Sequence, residues 1–227
     1  MNIALILAGG KGTRIGGDVP KQFIEVAGKP IIIHTLEKFQ NCSLIDGIVV
    51  ACICGEWQTE LRNDCNKYNI SKLIGICDAG ETGLLSARNG INYLSKYEND
   101  TIILIHDAVR PFVDEESIIS NIAIAEKYGT AMFSVESVET LVHTTDGIKS
   151  DRIIDRNGLR RILTPQTFQL SILRELIIKA DIENSEEPSI FALYMKTGRN
   201  IYCSKVNEKN IKITYLEDVE YFKKLFL

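Results

Sequence analysis

Met1-Asn2-Ile3-Ala4-Leu5-Ile6-Leu7-Ala8-Gly9-Gly10-Lys11-Gly12-Thr13-Arg14 decides how this chain folds. Five of the first eight residues are Ile, Leu or Met and none is charged, the pattern of a strand buried on both faces of a parallel sheet. The glycines that follow let the backbone turn tightly and bring successive N–H groups near a polyphosphate. Lys11, Arg14 and Lys21 add positive charge beyond the strand, and Pro20 stiffens the chain just before Lys21. The stretch has neither G-x-x-x-x-G-K-[ST] nor the third glycine of G-x-G-x-x-G, so a plain strand-to-helix turn with solvated lysines competes with a phosphate loop. Three cations at the carboxyl end of a first strand, where open α/β sheets bind ligands, favour the nucleotide site.

Outward from this stretch, short β-rich runs alternate with helical ones. Ile31–Phe39 reads as a helix, Ile45–Ile53 as a strand, Gly55–Tyr68 as a polar helix and Lys72–Cys77 as a third strand. A second glycine-bearing turn, Asp78-Ala79-Gly80-Glu81-Thr82-Gly83-Leu84-Leu85-Ser86, leads to a helix over Ala87–Lys96. Gly80 leaves room for a planar base and Ser86 offers a hydroxyl, although a capped helix start explains the turn equally well. Thr101–Ile105 is another apolar strand, ending in His106-Asp107-Ala108-Val109-Arg110-Pro111. There Asp107 could hold a metal ion or a ribose hydroxyl with Arg110 holding Asp107, or the two could be a structural ion pair. His34, alone on an apolar helix, reads as packed or exposed rather than catalytic.

Glu115–Tyr128 follows as an amphipathic helix and Gly129–Val142 as strand. Two β-like runs in Leu141–Ile154 flank Asp146-Gly147, a hairpin signal. A hairpin protruding from an α/β domain invites cover by another subunit, so an arm over about 138–158 is expected to make a homodimer. Helices over Leu170–Ala180, Ile190–Thr197 and Glu217–Phe226 and a strand over Ile201–Val206 complete the reading. The alternation predicts an α/β fold: a Rossmann-like, doubly wound, mostly parallel sheet in a single domain spanning 1–227 with a protruding β-hairpin arm.

Composition narrows the function. Apolar residues make up 45% and charged residues 25%, ordinary for a globular protein. The net charge of −4, with basic residues interspersed among acidic ones, argues against broad nucleic-acid binding. Six cysteines at 42, 52, 54, 65, 77 and 203 form no C-x-x-C pair and have only three histidines for company. They read as reduced, small apolar residues of a cytoplasmic protein rather than as a zinc site. No run is long and apolar enough for a bilayer, and Met1–Ala8 belongs to the fold rather than to a leader.

Seven blocks carry a resemblance that covers nearly the whole chain. They are Leu7–Arg14, Pro20-Lys21-Gln22, His106–Pro111, Glu139-Thr140, Asp155-Arg156, Thr164-Pro165-Gln166 and Asn210-Ile211-Lys212-Ile213-Thr214. In this order they resemble the polyol-phosphate cytidylyltransferases, which act on 2-C-methyl-D-erythritol 4-phosphate or ribitol 5-phosphate. The resemblance implies a Mg²⁺-dependent transfer of CMP from CTP to a polyol phosphate. It puts Arg14 and Lys21 on the CTP phosphates as transition-state stabilisers. Arg156, reaching across from a partner's arm, and Lys212 would hold the acceptor phosphate, with Thr140 and Arg110 on the polyol side. Leu7, Ala8, Gly9, Gly10, Gly80 and Ser86 would bind CTP, the stretch from Gly80 to Ser86 reading cytosine. Asp107 would face ribose and Mg²⁺.

Two departures stand out. Gly83 occupies a position where better-known members carry arginine, and Ser185-Glu186-Glu187 replaces a Thr-Asp-Asp stretch. Features of both subgroups are mixed: Pro20-Lys21-Gln22-Phe23 and Ile31-Ile32-Ile33-His34-Thr35 look nearer to the ribitol-phosphate enzymes, Asp155-Arg156-Asn157-Gly158-Leu159 nearer to the methylerythritol-phosphate enzymes. The lead expectation is a CDP-polyol synthase serving a surface polysaccharide. The isoprenoid-pathway enzyme, a nucleotidyltransferase using another NTP or a sugar 1-phosphate, and a silent nucleotide-binding relative stand as rivals.

Overall fold

The apolar opening run forms strand β1 (Asn2–Ala8), and it has no polar face because it has no solvent face. In this computed structural model, which describes residues 1–10 and 19–225, β1 pairs in parallel on both sides. Ala4, Ile6 and Ala8 enter one apolar core, while Ile3 and Leu5 enter the other. Lys11, Gly12, Thr13 and Arg14 lie outside the described residues.

From Val19 the chain makes a 3-10 turn at Lys21–Phe23. A small ribbon follows, β2 (Glu25–Val26) with β3 (Lys29–Pro30), turned at Ala27 and Gly28, which both have positive φ. Then come α1 (Ile31–Asn41), β4 (Gly47–Cys52), α2 (Glu56–Lys67), β5 (Leu73–Asp78), α3 (Gly83–Tyr93), β6 (Ile102–Asp107), α4 (Glu115–Tyr128) and β7 (Thr130–Glu136). The second half contains β8 (Leu141–His143), β9 (Arg152–Ile154), β10 (Arg160–Gln169), α5 (Leu170–Glu183), α6 (Ile190–Met195), β11 (Cys203–Lys205) and α7 (Leu216–Lys224).

Seven strands form one sheet in the order β11-β7-β10-β6-β1-β4-β5. Helices α1, α2 and α4 cover one face and α3, α5 and α6 the other. The chain steps outward from β1 to β4 and β5, then returns to place β6 on the opposite side of β1. That reversal opens a crevice at the carboxyl ends of β1 and β6, the position where doubly wound sheets bind ligands. A third apolar cluster, Val26, Ile31, Val109, Ile213, Val219 and Phe222, fastens α7 and the strap before it beside this crevice.

The sheet is mostly parallel, as expected, and the expected hairpin around Asp146-Gly147 is present. Leu141, Val142 and His143 pair with Ile154, Ile153 and Arg152, and Gly147 turns at φ +72°. Several boundaries differ from expectation. The strand expected over Gly129–Val142 stops at Glu136 and resumes only at Leu141. Helix α3 begins at Gly83, four residues ahead of Ala87, because the Thr82 side chain accepts the Leu85 N–H and caps it. The last helix ends at Lys224.

The larger surprise is β10, an antiparallel strand wedged between β6 and β7 that the sequence does not announce. Arg160-Arg161 and Pro165 disguise it, since proline within a run speaks against a central strand. Its register slips between Ile162 and Gln166, and Pro165 sits inside that irregularity behind a cis peptide bond. His34 is packed, as its setting suggested: it is buried, with Nε2 2.8 Å from the Val26 carbonyl and its ring against Phe222.

Candidate active site

Two glycine turns meet at the crevice. A Cβ on Gly9 would stand 2.6 Å from Ala79 Cβ and 3.1 Å from Ser86 Oγ, and one on Gly80 would stand 2.3 Å from Leu85 Cβ. Only glycine allows the end of β1 and the turn before α3 to approach this closely. The Ser86 hydroxyl accepts the Gly80 N–H at 3.0 Å and lies within reach of the Gly80 and Thr82 carbonyls. It therefore shapes the turn. Gln22, buried beneath, donates from Nε2 to the Ala8 carbonyl at 2.8 Å and ties the 3-10 turn to the end of β1.

Opposite the glycines stands Asp107, the last residue of β6. Lys212 Nζ lies 3.0 Å from Oδ1, and Arg110 Nε lies 2.9 Å from Oδ2. Burial pushes the Asp107 carboxyl up, but Lys212 and Arg110 outweigh it and hold its pKa at about 2. Arg110 also donates from Nη1 to the Asn210 carbonyl at 2.9 Å, and Lys21 Nζ donates to the Ile213 carbonyl at 3.1 Å. The strap from Asn210 to Ile213 thus anchors one lysine and carries another. Behind Asp107, burial lowers the pKa of His106 to about 4, so its ring is neutral near pH 7.

One cavity of about 240 Å³ gathers most of the residues singled out in the sequence. Leu7, Ala8, Gly9, Gly10, Lys21, Gly80, Ser86, Asp107 and Lys212 line it, together with Gln22, Glu81, Thr82 and Gly83. Arg110 backs Asp107 from outside this lining. Thr140 and Arg156 are elsewhere. Thr140 is exposed just ahead of β8, and Arg156 lines a separate cleft of about 470 Å³ at the root of the hairpin. There the Arg156 guanidinium donates to the Val138 carbonyl. Arg14 falls in the undescribed stretch. Sequence reasoning passed over Gln22, His106, Thr164 and Asn210, although each stands in a block quoted above. The signal available was His106 closing the apolar run Ile102–Ile105.

Comparison with known proteins decides the family. Residues 2–224 match the model of IspD, 2-C-methyl-D-erythritol 4-phosphate cytidylyltransferase. The chain belongs to that family. A ribitol-5-phosphate cytidylyltransferase of Streptococcus agalactiae is 36% identical over 232 residues, covering 100% of this chain and 95% of the relative. A 2-C-methyl-D-erythritol 4-phosphate cytidylyltransferase of Clostridium acetobutylicum is also 36% identical, over 225 residues and 96% and 94% of the two chains. The crystal structure of 4-diphosphocytidyl-2C-methyl-D-erythritol synthase from Anaerococcus prevotii shares the fold, with a TM-score of 0.84 at 24% identity over 99% of this chain and 97% of that one.

Membership makes this chain a nucleotidyltransferase, and the names of the relatives agree on CTP-dependent transfer to a polyol phosphate while differing in the acceptor. The site suits that chemistry. In-line attack of a phosphate oxygen on an α-phosphorus needs no protein nucleophile, only positioning and charge neutralisation. Of the two sequence departures, Gly83 lies close to the residue that follows the other. A Cβ on Gly83 would come within 3.1 Å of the Pro188 carbonyl oxygen. The Pro188 carbonyl would have to shift by a few tenths of an ångström to admit a side chain at 83.

Proposed function

We propose that this cytidylyltransferase transfers CMP from CTP to the phosphate of a small alditol phosphate, releasing pyrophosphate and supplying a CDP-alditol for a surface polysaccharide. The observation that carries the reading is the arrangement at the carboxyl ends of β1 and β6. Two glycine turns give close backbone approach on one side, and Asp107, Lys212 and Lys21 stand on the other. In the reaction an acceptor phosphate oxygen forms the new bond to the α-phosphorus of CTP, and the bond from that phosphorus to the bridging oxygen of pyrophosphate breaks. The acceptor phosphate is already anionic, so no general base is required. Lys21, with Arg14, neutralises charge as it develops on the phosphates, and Lys212 orients the acceptor phosphate.

The residues present fit Mg²⁺. Asp107 offers an ionised, hard oxygen donor, and among the described residues no group of three His, Cys, Asp or Glu side chains comes together. A single held carboxylate suits an ion that keeps several waters and binds largely through substrate phosphates. When bound, the ion would withdraw charge from the phosphate oxygens. Asp107 would hold it and Arg110 would keep Asp107 in place.

The arm is read as the homodimer contact. Val142, Ile148 and Ile153 are 54%, 89% and 73% exposed in one chain, apolar surface that a second copy would cover. On this reading Arg156, at the root of the arm, serves the partner's acceptor site. No helix among the described residues is long and apolar enough to cross a membrane. All six cysteines are unbridged, which suits the reducing cytoplasm.

Pyrophosphate release with CTP and Mg²⁺ tests the reading against ribitol 5-phosphate, arabinitol, mannitol and glycerol phosphates, and 2-C-methyl-D-erythritol 4-phosphate. Turnover of an alditol phosphate is expected. The family match and the Clostridium relative support the second reading, and turnover of methylerythritol phosphate alone would establish it. CTP binding with no release across the panel would point to an acceptor outside the panel or to a silent relative.

A further inference from the structure

His106 is fully buried beside Asp107, and both of its ring nitrogens are engaged. Nε2 lies 3.1 Å from the Arg110 carbonyl and Nδ1 lies 3.1 Å from Thr164 Oγ1. Thr164 Oγ1 in turn accepts the backbone N–H of Asp107 at 3.2 Å. The direction of each bond follows from what each group can do. A carbonyl only accepts, so Nε2 carries a proton and donates it to Arg110. The Thr164 hydroxyl has one proton, and with the Asp107 N–H already pointing at its oxygen, that proton finds an acceptor in Nδ1 of a neutral ring. The relay therefore runs from the Asp107 N–H to Thr164, from Thr164 to His106, and from His106 to the Arg110 carbonyl.

Its two ends are the two ends of one turn. The Arg110 N–H donates to the Asp107 carbonyl at 3.2 Å, and Arg110 Nε returns to Asp107 Oδ2. Asn210 braces the ring from outside, donating from Nδ2 to the Thr164 carbonyl at 2.9 Å and accepting Arg110 Nη1 on its own carbonyl. Phe39 packs edge-on against His106, with ring centroids 5.1 Å apart, and fixes its plane. A histidine so enclosed has no route to a substrate. Its work is done through other groups.

We propose that His106 and Thr164 are positioning residues: their side chains form a one-directional hydrogen-bond relay that fixes the turn carrying Asp107 and Arg110 in its reactive geometry. The proposal rests on the functional reading above for the meaning of "reactive". It adds a reason why a β10 residue, Thr164, sits opposite the end of β6: only there can one hydroxyl serve both the Asp107 backbone and the histidine.

Two measurements test it. Nitrogen-15 NMR of the imidazoles at neutral pH, with the His106 signals assigned by their loss in His106→Gln, should show the Nε2–H tautomer. The Nδ1–H tautomer would overturn the relay. The tautomer is read on the unaltered protein and decides even where a Thr164 variant fails to fold. Steady-state kinetics supply the second measurement. Thr164→Val, which keeps shape and removes the hydroxyl, should lower kcat by about tenfold or more through loss of alignment. KM should change much less, and Tm should fall by no more than about 5 °C. Thr164→Ser should restore most of kcat. Wild-type kcat in Thr164→Val, or a Thr164→Ser variant as impaired as Thr164→Val, would overturn the proposal. A wild-type protein that releases no pyrophosphate with any acceptor would instead defeat the functional reading, leaving the tautomer to judge the relay.

Discussion

The crevice at β1 and β6 and the hairpin arm are held by opposite means. Around Asp107, bonds join residues far apart in sequence: Lys212 lies 105 positions away, Asn210 ties back to Thr164 across 46, and Lys21 reaches Ile213 across 192. At the tip of the hairpin the side-chain bonds are local. Thr144 Oγ1 donates to the Lys149 carbonyl and accepts the Gly147 N–H, and Asp146 Oδ1 accepts the N–H groups of Ile148 and Lys149. One region is overdetermined by tertiary structure and the other is held by its own turn and strand pairing. A change at the crevice should therefore damage chemistry in a chain that still folds, whereas a change in the hairpin should, on the proposed dimer, damage what the hairpin meets.

Lys21→Ala is the strongest way to break this contrast. If Lys21 meets the CTP phosphates as proposed, its loss should lower kcat by roughly 10²-fold or more, while circular dichroism and Tm stay close to wild type. Near-normal turnover would remove Lys21 from the site. Arg156→Ala sharpens the contrast from the arm's side. The KM for the polyol phosphate should rise about tenfold, the KM for CTP much less, because the proposed charge-assisted contact to one substrate would be lost. A larger change in the CTP value would mean that the arm serves the nucleotide. Mixing Arg156→Ala with a crevice variant such as Lys21→Ala adds a direct check on exchange between subunits. If arms reach across a dimer, mixed dimers should regain part of the activity missing from either parent.

What the sequence made legible divides along the same line. Strand β1 was readable because burial on both faces demands apolar residues at every position. The hairpin was readable because Asp146-Gly147 carries its own turn chemistry. Strand β10 was not, since its pairing with β6 and β7 is a tertiary fact and its residues Arg160, Arg161 and Pro165 speak against a central strand. At the site, Gly9 and Gly80 announced turns but not that the two turns touch. The meeting of Asp107 with Lys212 was reachable only through the resemblance, because spacing says nothing about residues 105 apart. His106, Thr164 and Asn210 stood in recognised blocks without a reason until the fold supplied their partners.

The smallest expected effect compares the two regions through acid. Asp107 and Asp146 both have carboxyl pKa values below the ordinary range. Lys212 and Arg110, working against burial, lower the first, and the backbone N–H groups of Ile148 and Lys149 lower the second. A group whose folded pKa is depressed contributes stability above its unfolded pKa and loses it as pH falls through the folded one. For Asp107 that window runs from about pH 4 down to about 2, and the contribution is on the order of 2 kcal/mol. His106, buried neutral, adds an earlier loss between its ordinary 6.5 and about 4. Urea midpoints measured from pH 7 to 2 should therefore fall in wild type along both windows. In Asp107→Asn the fall below pH 4 should flatten while the earlier one persists. In Asp146→Asn the wild-type profile should change little, because an exposed turn carboxylate contributes less than a caged one. Equal profiles for wild type and Asp107→Asn would mean that the Lys212–Asp107–Arg110 cage holds no stability of its own, and that its geometry is maintained by the strap and β10 alone.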